Sequence, residues 1–394
     1  LEDPLVHSQV VAYLAGLAQR GHTVHLLTFE PAQTAARRRT IGGELGSRGI
    51  RWHSLRYHKR PSLPATVFDT LSGAFAAARL VRRHRLDAIH ARNHVPAAMA
   101  LIACRLVPCR MIFDIRGLMA DEYADAGRWK RGGIAYRLTE WIQRGALRRA
   151  DGVVTLTEAV RPYLSEARAG SDTTFVIPCC ADLEQIERRS HEREAARTEL
   201  DAGDRPTTVY VGKFTGWYME REMADFFSVA RRSRTDLLFL IVTQADPAPM
   251  LRELERCEVG PEDYRILRAE PEEIGRYLAA ADFGISLIRP CFSKISSSPT
   301  KIGEYLAAGL PVVSTKGIGD VDALLRGNRV GTLLGDLSPS GYEAAAGAIG
   351  DLCADAGVRE RCRTVAGELL SLREVGIPRY DELYRRLAPS LETR

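Results

Sequence analysis

Apolar and polar positions along this chain fall into two alternating registers, short β-rich runs and amphipathic stretches of helix length. Ser8 precedes an amphipathic run over residues 9–20 that Gly21 closes, and serine before with glycine after are start and stop signals for a helix. Residues 23–29 (TVHLLTF) read as a strand, a polar helical stretch follows, and residues 51–57 read as a second strand. Further apolar runs at 87–92, 110–115, 152–157 and 174–178 are each separated by a helix-length segment. Strands alternating with helices predict an α/β fold with a parallel sheet covered on both faces. Such a domain ordinarily opens on a strand, whereas Leu1 to His7 read as the loop into the first helix, so the pattern predicts that a first strand is missing.

After Cys180 the pattern changes to a highly charged segment containing ERRSHEREAARTEL, which reads as a connector with a solvated helix. A second alternation begins at Thr207, with strands expected at 207–212, 237–242, 264–267, 283–288, 311–314 and 331–334. Helices are expected at 271–281 and 300–308 among others, with a helical tail after Pro378. The predicted organisation is an N-terminal Rossmann-like domain over 1–181, a linker over 182–205, a C-terminal Rossmann-like domain over 206–376, and a helix over 377–394 returning to the first domain. Open α/β sheets bind ligands beyond the C-terminal ends of their strands. Two such sheets facing across a cleft would carry one substrate on each wall.

Composition narrows the function. The 394 residues are 45% hydrophobic and 27% charged, the make-up of a soluble globular protein with room for two domains. A net charge of +5, spread through helical stretches that also carry acids, excludes a dedicated nucleic-acid binder and favours small anionic partners such as phosphates. Eight cysteines, at 104, 109, 179, 180, 257, 291, 353 and 362, form no C-x-x-C pair and no Cys/His zinc spacing. They read as buried free thiols in a reducing compartment, and Cys179 and Cys180, behind a proline at a strand end, suggest a geometric role. No apolar stretch reaches the ~18 residues that span a bilayer, and no signal peptide opens the chain, so a cytoplasmic location is expected.

The richest segment is 291–315, CFSKISSSPTKIGEYLAAGLPVVST. A strand feeds through a polar loop into a helix opened by Pro299 and Thr300, where proline suits the first turn. Free N–H groups and the dipole at such a start attract a phosphate; Ser297, Ser298 and Thr300 can add hydroxyls, and Lys294 and Lys301 positive charge. Glu304, a turn further on, can accept two hydrogen bonds from a vicinal diol such as ribose. A plain capped loop with Glu304 on a helix surface is the alternative reading.

This stretch resembles the donor-site motif of the family 4 retaining glycosyltransferases, in which a glutamate opens a loop, a second follows eight positions later, and an A-x-G-x-P-V-V run comes next. Glu304, Ala308, Gly309, Pro311, Val312 and Val313 fit, while Ser296 occupies the place of the first glutamate. The resemblance extends to QVVAYLAGLAQRGHTVHLLTF, DGVVTLTEAVRPYL, VIPCCADLEQI, VYVGKF and EEIGRYLAAADFGISLI, nearly the whole chain. It implies the GT-B fold and a nucleoside-diphosphate sugar, UDP- or GDP-linked, as donor. The implied product is a glycosylated hydroxyl on a glycan, glycolipid or natural product. At VYVGKF the family commonly has Gly-Arg and, five residues on, a lysine, both directed at the diphosphate; Gly212 and Lys213 fit the first pair, and Tyr218 stands where the lysine would be.

On the acceptor side, Arg116 falls where many relatives have a histidine. Arginine cannot act as a base, and is expected to bind phosphate or carboxylate. His7, Asn93, His94, Asp121 and Glu122 are the expected acceptor contacts, each with a cap or turn role as its alternative. Arg116, Lys213 and Glu304 are therefore the expected catalytic set, acting by charge on the leaving diphosphate with no cofactor and no metal, since no Asp-x-Asp motif is present. Basic amphipathic stretches at 134–150 and after 378 allow peripheral membrane contact at the inner face, as in relatives with lipid-linked acceptors, or ordinary half-buried packing. Competing functions are a nucleotide-sugar epimerase or a phosphorylase on the same scaffold, and a non-catalytic nucleotide-sugar-binding protein.

Overall fold

A computed structural model describes residues 4–58, 60, 62–165, 173–214 and 216–387. The chain divides into two compact units, Leu1–Pro178 with Val375–Arg394, and Cys179–Glu374.

The first unit holds two parallel sheets. In one, β1 (Val24–Glu30) pairs with β2 (Ile50–Arg56). The other has the order β3 (Ala88–Arg92), β4 (Arg110–Asp114), β5 (Gly152–Thr155), β6 (Thr174–Val176). Every residue of β5 and all but the first of β4 are buried, the continuous burial expected of parallel strands covered on both faces. Helix Ile377–Leu387 packs within this unit: Leu383 fills the space that a side chain on Gly152 would need, and Ile377 does the same over Gly16. Asp381 accepts from His22 Nε2 at 2.7 Å and Arg20 at 3.2 Å, so a charged clasp accompanies the apolar contact.

The second unit is built on one six-stranded parallel sheet in the order β12-β11-β10-β7-β8-β9, with β7 at Thr207–Val211, β8 at Leu238–Val242, β9 at Tyr264–Leu267, β10 at Phe283–Ser286, β11 at Val312–Thr315 and β12 at Gly331–Leu334. Buried apolar side chains cover both of its faces, Leu238, Leu240, Tyr305 and Leu306 on one, Phe226, Phe227, Phe239 and Ile241 on the other. The segment 182–205, expected as a connector, is instead part of this unit: Ile186, Ala196, Leu200 and Ala202 lie in its core. Its charges mislead because Arg193 and Arg197 turn inward, donating to the carbonyls of Ala279, Ala280 and Ala281 at the end of helix Ile274–Ala280.

Candidate functional site

Strands β7, β8 and β9 run out one way from the middle of the second sheet and β10, β11 and β12 the other, so the chain direction switches between β7 and β10. The segments leaving those two strands, 212–219 and 287–299, part at that point and leave the crevice where ligands bind in open α/β sheets. Gly212 opens the first at φ +140°, a backbone angle that calls for glycine, and a Cβ there would sit 3.0 Å from Lys301 Nζ. The chain then folds back along the end of β10: Arg289 N–H donates to Trp217 O at 2.9 Å and Met219 N–H to Leu287 O at 3.2 Å, with a bridge between Tyr218 and Ile288. This fold-back lays the rings of Trp217 and Tyr218 against the second loop.

That loop tightens into a turn at Phe292–Ser296, where the carbonyl of Lys294 accepts from Ser297 N–H and Gly319 N–H. Ser296 is buried, and its hydroxyl donates to Ser293 O at 2.8 Å, so the residue at the place of the family's first glutamate is a strut of the turn. Lys294 is buried with its ammonium 3.9 Å from the centre of the Trp217 ring. Ser298 Oγ accepts from Cys179 N–H at 3.1 Å, which fixes the loop to the opening residue of the same unit. Pro299, in extended conformation, then starts helix Thr300–Ala307, whose N-terminus carries no side-chain cap.

Tyr305 seats this helix. Its hydroxyl accepts from Val211 N–H at 2.9 Å and donates to Ile285 O at 3.3 Å, and its ring lies where a side chain on Gly284 would be. The helix is thereby registered against β7 and β10 together. Lys301, only 7% exposed, holds its ammonium 3.7 Å from the Tyr218 ring centre and 4.1 Å from that of Tyr210. Nζ has no hydrogen-bond partner among the described residues. Aromatic faces attract a cation but do not replace its water. Burial therefore pulls the Lys301 pKa down to about 7, opposed by Glu304. Glu304, one turn along, is half-buried; burial raises its carboxyl above the ordinary range, and Lys301 offsets part of the rise. Lys213 is exposed, while Ser297 and Thr300 are half-buried at the mouth of the same loop. The donor candidates Gly212, Lys294, Ser298, Lys301 and Glu304 thus gather at the ends of β7 and β10.

In the first unit a group that the sequence reading passed over organises the strand ends. Asp114, the last residue of β4, is fully buried and accepts from Tyr380 at 3.0 Å and Arg92 at 3.3 Å, with His90 Nε2 at 3.6 Å and Arg116 at 3.9 Å. Burial works against its charge, but Arg116, His90 and Arg92 outweigh it and hold the carboxyl at about 2. The signal available was an acid closing the apolar run MIF, two residues before an arginine. Arg116 takes φ +55° and turns its guanidinium back toward Asp114 and Gln9.

The acceptor candidates divide. His94 is 1% exposed with both ring nitrogens engaged, Nδ1 by Asn93 Oδ1 and Nε2 by Gln143 Oε1, each at 2.8 Å, so it braces the helix start and does not face a ligand. Asn93 caps that helix, accepting from His94 N–H. Asp121 is buried and accepts from Tyr136 and Arg131, which gives it a structural role too. Glu122 is half-buried against Gly117, and His7 is exposed in the segment His7–Val11. Among the described residues no group of three or more His, Cys, Asp or Glu is placed to hold a metal ion, and no helix is long and apolar enough to cross a membrane.

Comparisons with known proteins agree with this geometry. The family model described as Glycosyltransferase Family 4 matches residues 6–185, and that described as Glycosyl transferases group 1 matches residues 205–355. No curated protein matches in sequence. Among solved structures, a glycosyltransferase from Rickettsia africae ESF-5 superposes with a TM-score of 0.70 at 16% identity, over 98% of this chain and 96% of that one. Sucrose-phosphate synthase from Thermosynechococcus elongatus gives 0.70 at 18% identity, over 96% and 92%. Anabaena Alr3699/HepE in complex with UDP and glucose gives 0.65 at 14% identity, over 95% and 100%. At such identities the structures establish the fold, and the two family matches establish the kinship: this chain belongs to the family 4 glycosyltransferases and carries the GT-B fold.

Proposed function

We propose that the protein transfers a sugar, with retention at the anomeric carbon and without a metal, from a nucleoside diphosphate to a hydroxyl acceptor. The carrying observation is the buried Lys301 ammonium, without a hydrogen-bond acceptor among the described residues, one turn from Glu304 at the switch point of the second sheet. A diphosphate supplies the acceptors that Lys301 lacks, the uncapped N-terminus of helix Thr300–Ala307 adds N–H donors, and Glu304 accepts from the ribose diol. Lys213 and Lys294 are the further cations of this pocket. Their charge stabilises the leaving diphosphate, whose own oxygen can take the acceptor's proton, so no separate base is required. The HepE complexes with UDP and with UDP-glucose, on the same fold, support a nucleotide-sugar donor.

The first unit's strand ends, with Glu122, His7 and Asn93, are the proposed acceptor contacts. On helix Ile134–Arg149 the side chains of Ile134, Leu138 and Trp141 are exposed along one stripe beside Arg137 and Arg144, which favours peripheral contact with an anionic membrane. Incubation with UDP-, GDP- and dTDP-sugars after exhaustive chelation tests the main reading. Slow release of nucleoside diphosphate from one donor, undiminished by chelation, is expected. Tight binding with no release would favour a non-catalytic binder, and strict dependence on Mn²⁺ or Mg²⁺ would refute the metal-free assignment.

A further inference from the structure

At the other end of the second sheet, beneath the start of β10, lies a cavity of about 360 Å³ whose wall includes Arg193, Asp282, Ala308, Arg359 and Arg363, with Ser190 also on it. Its charges do not balance. Asp282 is the one carboxylate on that wall among the described residues, and three guanidinium groups share it: Arg193 at 2.7 Å, Arg359 at 3.1 Å and Arg197 at 3.9 Å. The same carboxylate also accepts from Thr207 N–H at 2.9 Å. Arg193 and Arg359 spend further donors on the carbonyls of Ala279 and Ala281. Arg363, the fourth guanidinium, has Glu360 at 3.8 Å as its one carboxylate partner among the described residues, a side chain 80% exposed and so a weak partner.

We infer that this cavity is a binding site for a small phosphate-bearing anion, separate from the donor pocket. Guanidinium forks in excess of their carboxylates are matched by phosphate oxygens, which accept several parallel N–H bonds at once. The volume exceeds that of a bare phosphate and lies in the range of small-molecule pockets, so a phosphomonoester fits as well as the free ion. Ser190 at the rim adds a hydroxyl. Burial, and then repulsion from Arg193, lowers the Arg359 pKa, as expected where positive charge is under-compensated. Ala308 also caps helix Thr300–Ala307, so an occupant here touches the far end of the helix that carries Lys301 and Glu304.

The test is calorimetric titration of the full chain with inorganic phosphate and, separately, with glucose 6-phosphate. Lys301→Met removes the donor-pocket phosphate contact, and Arg363→Glu or Ser190→Glu reverses or adds charge at the cavity; circular dichroism reports folding. Saturable binding that survives Lys301→Met and is weakened about tenfold or more by Arg363→Glu supports the site. Because Ser190 is exposed, Ser190→Glu decides the matter if Arg363→Glu does not fold. Tighter binding of glucose 6-phosphate identifies a monoester occupant, and equal binding the free ion. No saturation by about 10 mM (weaker than roughly 2.7 kcal/mol of binding), or binding lost with Lys301→Met and indifferent to both cavity variants, overturns the inference.

Discussion

Replacing Lys301 by methionine is expected to move stability and donor affinity in opposite directions. The pKa of this lysine falls from its ordinary value to about 7 on folding, so between those values the unfolded chain binds more protons than the folded one. Stability therefore rises with pH from about 7 upward, and at lower pH the folded protein carries the full cost of a buried ammonium set against two aromatic faces near Glu304. Tyr210, Tyr218 and Tyr305 stay neutral across this window, each raised by burial, so the lysine and Glu304 dominate its charge. Methionine keeps the stem's packing and removes the charge, and is expected to stabilise the unliganded protein by about 1–3 kcal/mol at pH 6, within the range for replacing buried charges by apolar groups. The same change removes charge-assisted contacts to a diphosphate worth about 1.5–3 kcal/mol, weakening nucleoside diphosphate binding by roughly 10- to 150-fold. In the wild type, affinity is expected to fall about fivefold from pH 7 to pH 8 as Lys301 deprotonates, a dependence absent from the variant. Thermal unfolding at pH 6 and pH 9, with calorimetric titration of UDP and GDP, measures both effects. A variant that is less stable yet binds nucleotide normally would refute the reasoning.

Glu304→Ala is expected to weaken nucleoside diphosphate binding by about 1.5–3 kcal/mol and to leave inorganic pyrophosphate binding unchanged, since its proposed partner is ribose; an equal loss for both ligands would contradict that role. His25 and His53 share a 3.0 Å contact and the tilted His84 ring lies 4.4 Å, centre to centre, from that of His25; burial first and mutual repulsion second lower the His25 pKa to about 4 and that of His53 in the same direction. Stability gained by keeping these rings neutral is present above the ordinary histidine pKa and lost as pH falls toward about 4, by roughly 1 kcal/mol after allowance for solvent screening. A His25→Gln, His53→Gln double variant is expected to show a flatter melting-temperature profile between pH 7 and 5, and an unchanged slope would contradict this account. Asp114→Asn leaves Arg116 and Arg92 without their shared carboxylate and is expected to cost about 3–5 kcal/mol in urea unfolding, whereas a loss under 1 kcal/mol would show that the cluster is not cohesive.

The alternation of strands and helices was legible because parallel strands buried on both faces write themselves as continuous apolar runs, as in FLIV of β8. The helix after the serine-rich loop was legible too, since Pro299 and Thr300 keep the spacing of a helix start. What the residues could not say is which lysine lies beneath the surface. Lys213, Lys294 and Lys301 look alike in sequence, and only the fold-back of 213–219 along β10 puts Tyr218 over Lys301 and Trp217 over Lys294. Contacts distant in sequence account for the other misses: His94 meets Gln143, 49 positions away, and Asp114 meets Tyr380, 266 away. The charged run at 182–205 deceived because composition registers how many guanidiniums there are and not that Arg197 spends three donors on the backbone carbonyls of Ala280, Gly203 and Arg205.

Tyr305 has a consequence for evolution within this scaffold. One phenol ties helix Thr300–Ala307 to two central strands, and its ring occupies a niche that exists only because position 284 has no side chain. The two positions are therefore a coupled pair. Drift at either one alone, Gly284 gaining a methyl or Tyr305 shrinking to leucine, would push the helix aside or leave it unmoored. New donor preferences must then arise by editing the loops around this fixed bearing and not by re-aiming it.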